Sequence, residues 1–269
     1  MLFGRKKVEI DKKYLLKDLY KLISDIEESV LSAVRRGKAL GKQDDIDLLV
    51  PALTTSLSLT RQIILLCENG FPDGSLILAR NIYEQRIICS FIEEREDTTE
   101  REELLNRYFQ DAELTRLKYL NEQAKRFNVK ADIEETDRLL KEHQEKYGSS
   151  FTQYWWSGKN SFKELSDEIT NREDSHRGLF NNMHMEYKMA CIAMHPSAFG
   201  NRMNIGSNVV GVDMRARDTG HEHALFLATS SLIALVGYTY HYLELDDNYV
   251  LNELNRLGEY YLRMLIKHD

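Results

Sequence analysis

Ser75-Leu76-Ile77-Leu78-Ala79-Arg80-Asn81-Ile82-Tyr83-Glu84-Gln85-Arg86-Ile87-Ile88-Cys89-Ser90-Phe91-Ile92-Glu93-Glu94 is the stretch that decides the fold. Leu76, Ile77, Leu78, Ile82, Ile87, Ile88, Phe91 and Ile92 cover most of a helical circumference instead of one stripe. A helix of that kind belongs at the centre of a bundle, ringed by helices that each offer one apolar face. Arg80 and Glu84 interrupt the apolar surface, four residues apart on one side.

Working outward, Phe71-Pro72-Asp73-Gly74 has the composition of a turn, and Asn69-Gly70 closes the helix before it. That earlier helix starts near Asp44–Asp45 and carries Leu49, Leu53, Leu57, Ile63 and Ile64 to Cys67, with Pro51 in its early turns. Before it, Leu15, Leu19, Leu22, Ile23, Ile26, Val30 and Val34 recur at three- and four-residue steps, and Gly37 and Gly41 supply a stop. On the other side, residues 97–147 form a long charged helical arm. Its stripe of Leu104, Leu105, Tyr108, Phe109, Ala112 and Leu117 is broken at Asn128 and restarts at Ala131. This arm is either a solvated hairpin or a surface for a partner protein. An aromatic loop, residues 148–161, follows, and Ser161-Phe162-Lys163-Glu164 matches a capping box that starts a helix at Phe162. A helix after Asp174 runs to Met194, where His195-Pro196 ends it. Residues 199–218 read as an irregular loop. Asp218 or Thr219 caps the apolar helix that follows, and Asp246 or Asp247 the last one. The expectation is an all-α, single-domain helical bundle of about eight helices spanning 1–269, with a long charged helical hairpin.

Composition narrows the function classes. The 269 residues carry 43 acidic and 36 basic side chains, a net charge of −7, and 42% hydrophobic residues. That balance excludes a disordered chain, and it argues against a general nucleic-acid coat. The most apolar stretch, Ala224–Tyr242, contains Thr229, Ser230, Ser231, Gly237 and His241, so it reads as a buried helix and no membrane is expected. Met1-Leu2-Phe3-Gly4-Arg5-Lys6-Lys7 leads into no signal-like apolar core, and Cys67, Cys89 and Cys191 are far apart and odd in number. A cytoplasmic chain with free thiols is expected.

No phosphate-cradling glycine loop, nucleophile elbow or zinc motif is present, and no cofactor or metal site is expected. His221-Glu222-His223 lacks the helical two-histidine zinc spacing, and it reads as a helix N-terminal turn with solvent-facing imidazoles. Four groups of residues remain. Arg80 with Glu84 is either a structural ion pair or a buried polar site completed by other helices. Tyr187, Cys191 and His195 stack on one helical face, and His195, at the helix end, is the acid–base candidate. Arg177 with His184 and Arg217 with His223 are separated by six and five residues, suited to proton transfer by histidine beside a charge-stabilising arginine. Tyr154-Trp155-Trp156-Ser157-Gly158-Lys159 either stacks a base or ligand or tucks a loop against the core.

Leu78-Ala79-Arg80-Asn81-Ile82-Tyr83-Glu84, the Tyr-Trp-Trp-Ser-Gly-Lys stretch and Tyr187…Cys191…His195-Pro196-Ser197, in that order, resemble a bacterial family of unknown function, DUF5677, over about Leu49–Tyr240. Arg80, Glu84, Tyr187 and His195 take the places of the family's polar residues, with Cys191 where a serine is common. That family is in turn distantly similar to HEPN-like helical domains, which include ribonuclease toxins and phage-defence effectors. The two Arg–His spacings fit the loose HEPN pattern. The resemblance implies a metal-independent ribonuclease of defence or toxin type, acting on RNA as a homodimer. Its catalytic residues would be His195, Arg80, Glu84 and Tyr187. Trp155, Trp156, Lys159, Arg177, His184, Arg217 and His223 would contact substrate. The rival expectation is a non-catalytic binding or regulatory module whose 97–147 arm contacts a partner protein.

Overall fold

The computed structural model describes residues 2–35, 43–147, 154–172, 177–194, 219–246 and 248–268. Expectations that fall on Gly37, Gly41, the first half of the aromatic loop, His195, Arg217 and the 199–218 loop therefore lie outside the described residues. The protein is all-α as expected, with ten helices among the described residues. Packing groups the chain into two compact units, 1–90 with 173–269 and 91–172, where sequence reading treats 1–269 as one domain.

In the first unit, α1 (Leu2–Tyr14) and α2 (Leu16–Arg35) meet at Leu15, whose φ of +52° breaks the helix. The last carbonyls of α1 have no partner within the helix. Tyr260 donates its hydroxyl to the Lys13 carbonyl and Tyr261 to that of Tyr14. The buried stripe of α2 is Leu16, Leu19, Leu22, Ile23, Ile26, Val30 and Ala33. Val34, expected in that stripe, is exposed, because the 3.6-residue period places Ala33 under the core instead.

Helix α3 (Gln43–Glu68) ends at Gly70, φ +82°, with Phe71 N–H reaching the Leu66 carbonyl. The next four residues are not a free-standing turn. Pro72 opens α4 (Pro72–Glu93), since the first helical position needs no N–H donor and its fixed φ already suits a helix. Between Ser75 and Ile92 only Asn81 is exposed. Helix α8 (Arg177–Met194, numbered after the second unit's helices) packs on α9 (His221–Tyr242), which also packs on α3 and α10 (Asn248–His268). Helices α3 and α9 are apolar and long enough to cross a membrane. Every residue of α9 from Ala224 to Leu232 is buried. The cap of α9 is Gly220, φ +87°, and not Asp218 or Thr219. The Glu222 carboxylate accepts the Gly220 N–H and so satisfies the helix end from inside.

The second unit contains α5 (Thr98–Phe127), α6 (Lys130–Tyr147), a 3₁₀ turn at Trp155–Ser157 and α7 (Phe162–Arg172). Asp97 caps α5 by accepting from Thr99 and Glu100 N–H, and Asn128 in the left-handed region turns the chain into α6. The charged hairpin closes on Asn121, which donates to Thr136 at 2.9 Å and to Asp137 at 2.6 Å. The capping box forms with one offset: Ser161 accepts the Glu164 N–H, but the Glu164 carboxylate reaches back to Asn160 N–H.

Candidate functional site

Helices α4 and α8 bring three of the singled-out side chains together. The Arg80 Nε donates to Glu84 Oε1 at 2.8 Å, a pairing set by their i, i+4 spacing on α4. From α8, Tyr187 donates its hydroxyl to the same oxygen at 3.1 Å. The guanidinium of Arg80 also lies 5.5 Å from the Tyr187 ring centroid, and Tyr83 packs against that ring at 5.2 Å. One carboxylate oxygen thus gathers a cation and a phenol from two helices. Arg80 is 18% and Glu84 25% exposed, so the cluster is neither sealed nor on the open surface.

The electrostatics follow from that partial burial. Burial works against the Arg80 charge, but the hydrogen bond and charge of Glu84 outweigh it and hold the guanidinium above its ordinary value. Burial, then the neighbouring Glu84 charge and Cys191, push the Tyr187 phenol far above its usual range. Tyr187 is therefore a hydrogen-bond donor at neutral pH and not a base. Lower on the same seam, the buried Arg86 points a guanidinium nitrogen at Met183 Sδ, 3.6 Å away.

His184 stands beside this cluster, its ring near-parallel to that of Tyr187 at 6.2 Å. The residue next to Tyr187 is Glu186, and its Oε2 lies 2.7 Å from Nδ1 of His223 on α9. His221 does not face solvent as expected. It is fully buried, edge-on to Tyr14 at 5.2 Å, because the first turn of α9 is driven into the core beside the end of α1. Glu222 is buried too and accepts the Tyr14 hydroxyl at 2.8 Å. Each residue of His221-Glu222-His223 thus has its own partner, and among the described residues no group of three His, Cys, Asp or Glu forms a metal-holding cluster.

The aromatic stretch belongs to the second unit. Trp156 is 2% exposed and spends its ring on Phe91 and Tyr108, at 5.9 and 5.1 Å. Trp155 donates its indole N–H to Asp111, and Lys159 is ion-paired with Glu168. These are contacts that fix a loop. Arg177 is the first residue of α8, with its side chain outside the described residues, as are His195 and Arg217. Glu186 escaped sequence reading because its partner lies 37 positions away, and its only local signal is adjacency to Tyr187. The thiols of Cys67 and Cys89 are buried, and burial pushes Cys67 up to about 12.

An all-α chain with an Arg–Glu–Tyr cluster between two helices is the class these observations define. The chain belongs to DUF5677, a family of unknown function, whose model matches residues 46–209, more than half its length. The match includes Arg80, Glu84, Glu186 and Tyr187 and stops before His223. No curated protein and no solved structure matches the chain.

Proposed function

We propose that this chain is a cytoplasmic, HEPN-like helical effector of defence or toxin type that cleaves RNA by a metal-independent route. The observation that supports this reading is the Arg80–Glu84–Tyr187 cluster. A helix-stabilising ion pair needs only two residues of one helix, whereas here a phenol from α8 converges on the same carboxylate and the group stays partly open to solvent. In the scheme, the ribose 2′-oxygen attacks its own phosphate, the O2′–P bond forms and the P–O5′ bond breaks, leaving a 2′,3′-cyclic phosphate and a 5′-hydroxyl. Arg80 stabilises the charge that develops on the phosphorane. Glu84 orients Arg80, Tyr187 fixes Glu84, and His195 transfers protons. The assembly is a homodimer.

A second reading is favoured by one feature: Arg80, Glu84 and Tyr187 satisfy one another, as the members of a purely structural network do. The chain is then a non-catalytic binding module, with the α5–α6 arm as the surface for a partner protein.

Induction of the wild type, Arg80→Ala and His195→Ala in cells separates the two, with folding checked by circular dichroism and total RNA sized. Growth arrest with RNA fragments ending in cyclic phosphate, lost in both folded variants, is the expected result. Intact RNA and normal growth with the wild type would reject the ribonuclease and favour the binding module.

A further inference from the structure

The last turns of α5 and the bend into α6, Arg116 to Lys130, carry five basic residues and one acidic one. Residues 131–147 carry three basic and six acidic, and the whole chain has a net charge of −7, so cations gather here against the general balance. Leu114, Leu117, Asn121 and Ala124 form the buried side of α5. Outside that seam stand Leu120 with Phe127 and Tyr119 with Arg126, each pair two helical turns apart and therefore on one side. Phe127 is 69% and Tyr119 60% exposed, and Leu120 and Val129 are exposed as well. Apolar side chains grouped in this way, rimmed by charge, mark an interaction surface.

The shape and the chemistry of the group select its partner. The bend lies about 25 Å along α5 beyond Asp111, where Trp155 is held, so within its unit it projects. Asn128, φ +55°, turns the chain, with Phe127 and Val129 on either side of it and Lys125, Arg126 and Lys130 flanking them. The Arg126 guanidinium lies 5.8 Å from the Phe127 ring centroid. Arg116 is paired with Glu113 and Lys125 with Asp137, but Arg126 and Lys130 make no ion pair among the described residues. A single-stranded nucleic acid stacks its bases on aromatic platforms along a charged groove. Here the rings stand on a projecting bend and are mixed with aliphatic Leu120 and Val129, on which no base stacks. A planar anionic lipid surface accepts such a tip: the apolar side chains enter the interfacial layer while the cations stay at the headgroup phosphates. We infer that the α5–α6 bend is a peripheral docking tip for an anionic lipid surface. Asp132, Glu134 and Glu135 of α6 are exposed just behind the bend, and the same surface repels them. The contact is therefore confined to the bend and the outer side of α5. No helix crosses the membrane in this arrangement, and the inference does not rest on the ribonuclease reading.

The test is co-sedimentation of the full chain with phosphatidylcholine vesicles, with and without phosphatidylglycerol. Binding is expected to the mixed vesicles, weakly to phosphatidylcholine alone, and to fall as salt is raised. Each basic residue near an anionic surface is worth about fivefold in affinity, so Arg126→Glu with Lys130→Glu should lower binding at least about 25-fold. Phe127→Ala should lower it about tenfold through lost apolar burial, and Arg138→Ala on α6 should leave it unchanged. All four positions are exposed, and circular dichroism checks that each variant folds. In Phe127→Trp, the added emission should shift to the blue on mixed vesicles. A wild type that ignores mixed vesicles, or binding that survives both the charge reversal and Phe127→Ala, would overturn the inference. Binding of a polyuridine oligonucleotide that these variants abolish, without binding to vesicles, would overturn it in favour of RNA.

Discussion

Glu222 is 3% exposed, and burial alone would raise its carboxyl. A backbone N–H, the Tyr14 hydroxyl and the charges of His223 and Lys13 outweigh that and hold it below the ordinary carboxylate range. A carboxyl depressed in the folded state adds stability that is full above its unfolded value, near 4.5, and is lost as pH falls through the folded value. Tyr14→Phe is therefore expected to cost about 1.5–3 kcal/mol near pH 7, the range for a hydrogen bond to a charged group. That cost should shrink below pH 4.5, where the carboxyl protonates. Urea unfolding at pH 7 and pH 3 measures both, and an equal cost at the two pH values would show that the hydroxyl does not act through an ionised Glu222. At the other cluster, Arg80→Ala removes the cation from a partly buried carboxylate and is expected to cost about 1–3 kcal/mol, discounted from the fully buried case by its exposure. Tyr187→Phe costs less, and because both residues bond one Glu84 oxygen, their double mutant should be non-additive. A strictly additive cycle would mean the two act on Glu84 separately. Arg80, Glu84 and Tyr187 were legible in the sequence because charges in an apolar helix and i, i+4 spacing are local signals. Glu186 and Tyr14 were not, since their partners are set by tertiary packing alone.

Three helix ends close the same way: Gly70, Asn128 and Glu244 all adopt positive φ, and the N–H of the following residue reaches back to Leu66, Ala124 and Tyr240. This is the Schellman pattern. Asn69-Gly70 and Asn128 announce their turns, because Gly and Asn accept the left-handed region readily. Glu244 gives no such signal; the end of α9 at Tyr242 is legible only as the end of the apolar stretch. Glu244 is exposed and contributes no burial to lose. Glu244→Gly is thus expected to stabilise the chain by about 0.5–1 kcal/mol, read as a raised midpoint in urea. A destabilised variant would mean that glycine's larger entropy in the unfolded chain outweighs the relieved strain. The start of α5 is legible only as the change to charged composition at residue 97; the structure adds the cap, with Asp97 accepting two N–H groups. Asp97→Ala is expected to cost about 1 kcal/mol.

The division of the chain into 1–90 with 173–269 and 91–172 gives unfolding a built-in reporter, for both tryptophans, Trp155 and Trp156, lie in the smaller unit. The sequence pattern marks 97–147 as an arm and 148–161 as a loop. It does not show that Trp156 joins Leu104, Leu105, Phe162, Leu165 and Ile169 as buried side chains of one unit, because those residues share no periodicity. A unit of the smaller size is expected to bury a smaller share of its surface, and its outside is held by paired charges such as Arg138 with Glu135 and Glu142, which contribute little in water. The larger unit contains α9, with its run of buried residues from Ala224 to Leu232. In urea, the tryptophan fluorescence transition is therefore expected at lower concentration than the main loss of far-ultraviolet circular dichroism. Two variants assign the steps. Asp97→Ala should move the fluorescence transition and leave the later one in place, whereas Tyr14→Phe should move only the later one. Coincident transitions that shift together in both variants would show instead that α4, which runs unbroken through the boundary at Ser90–Phe91, couples the units into one cooperative fold.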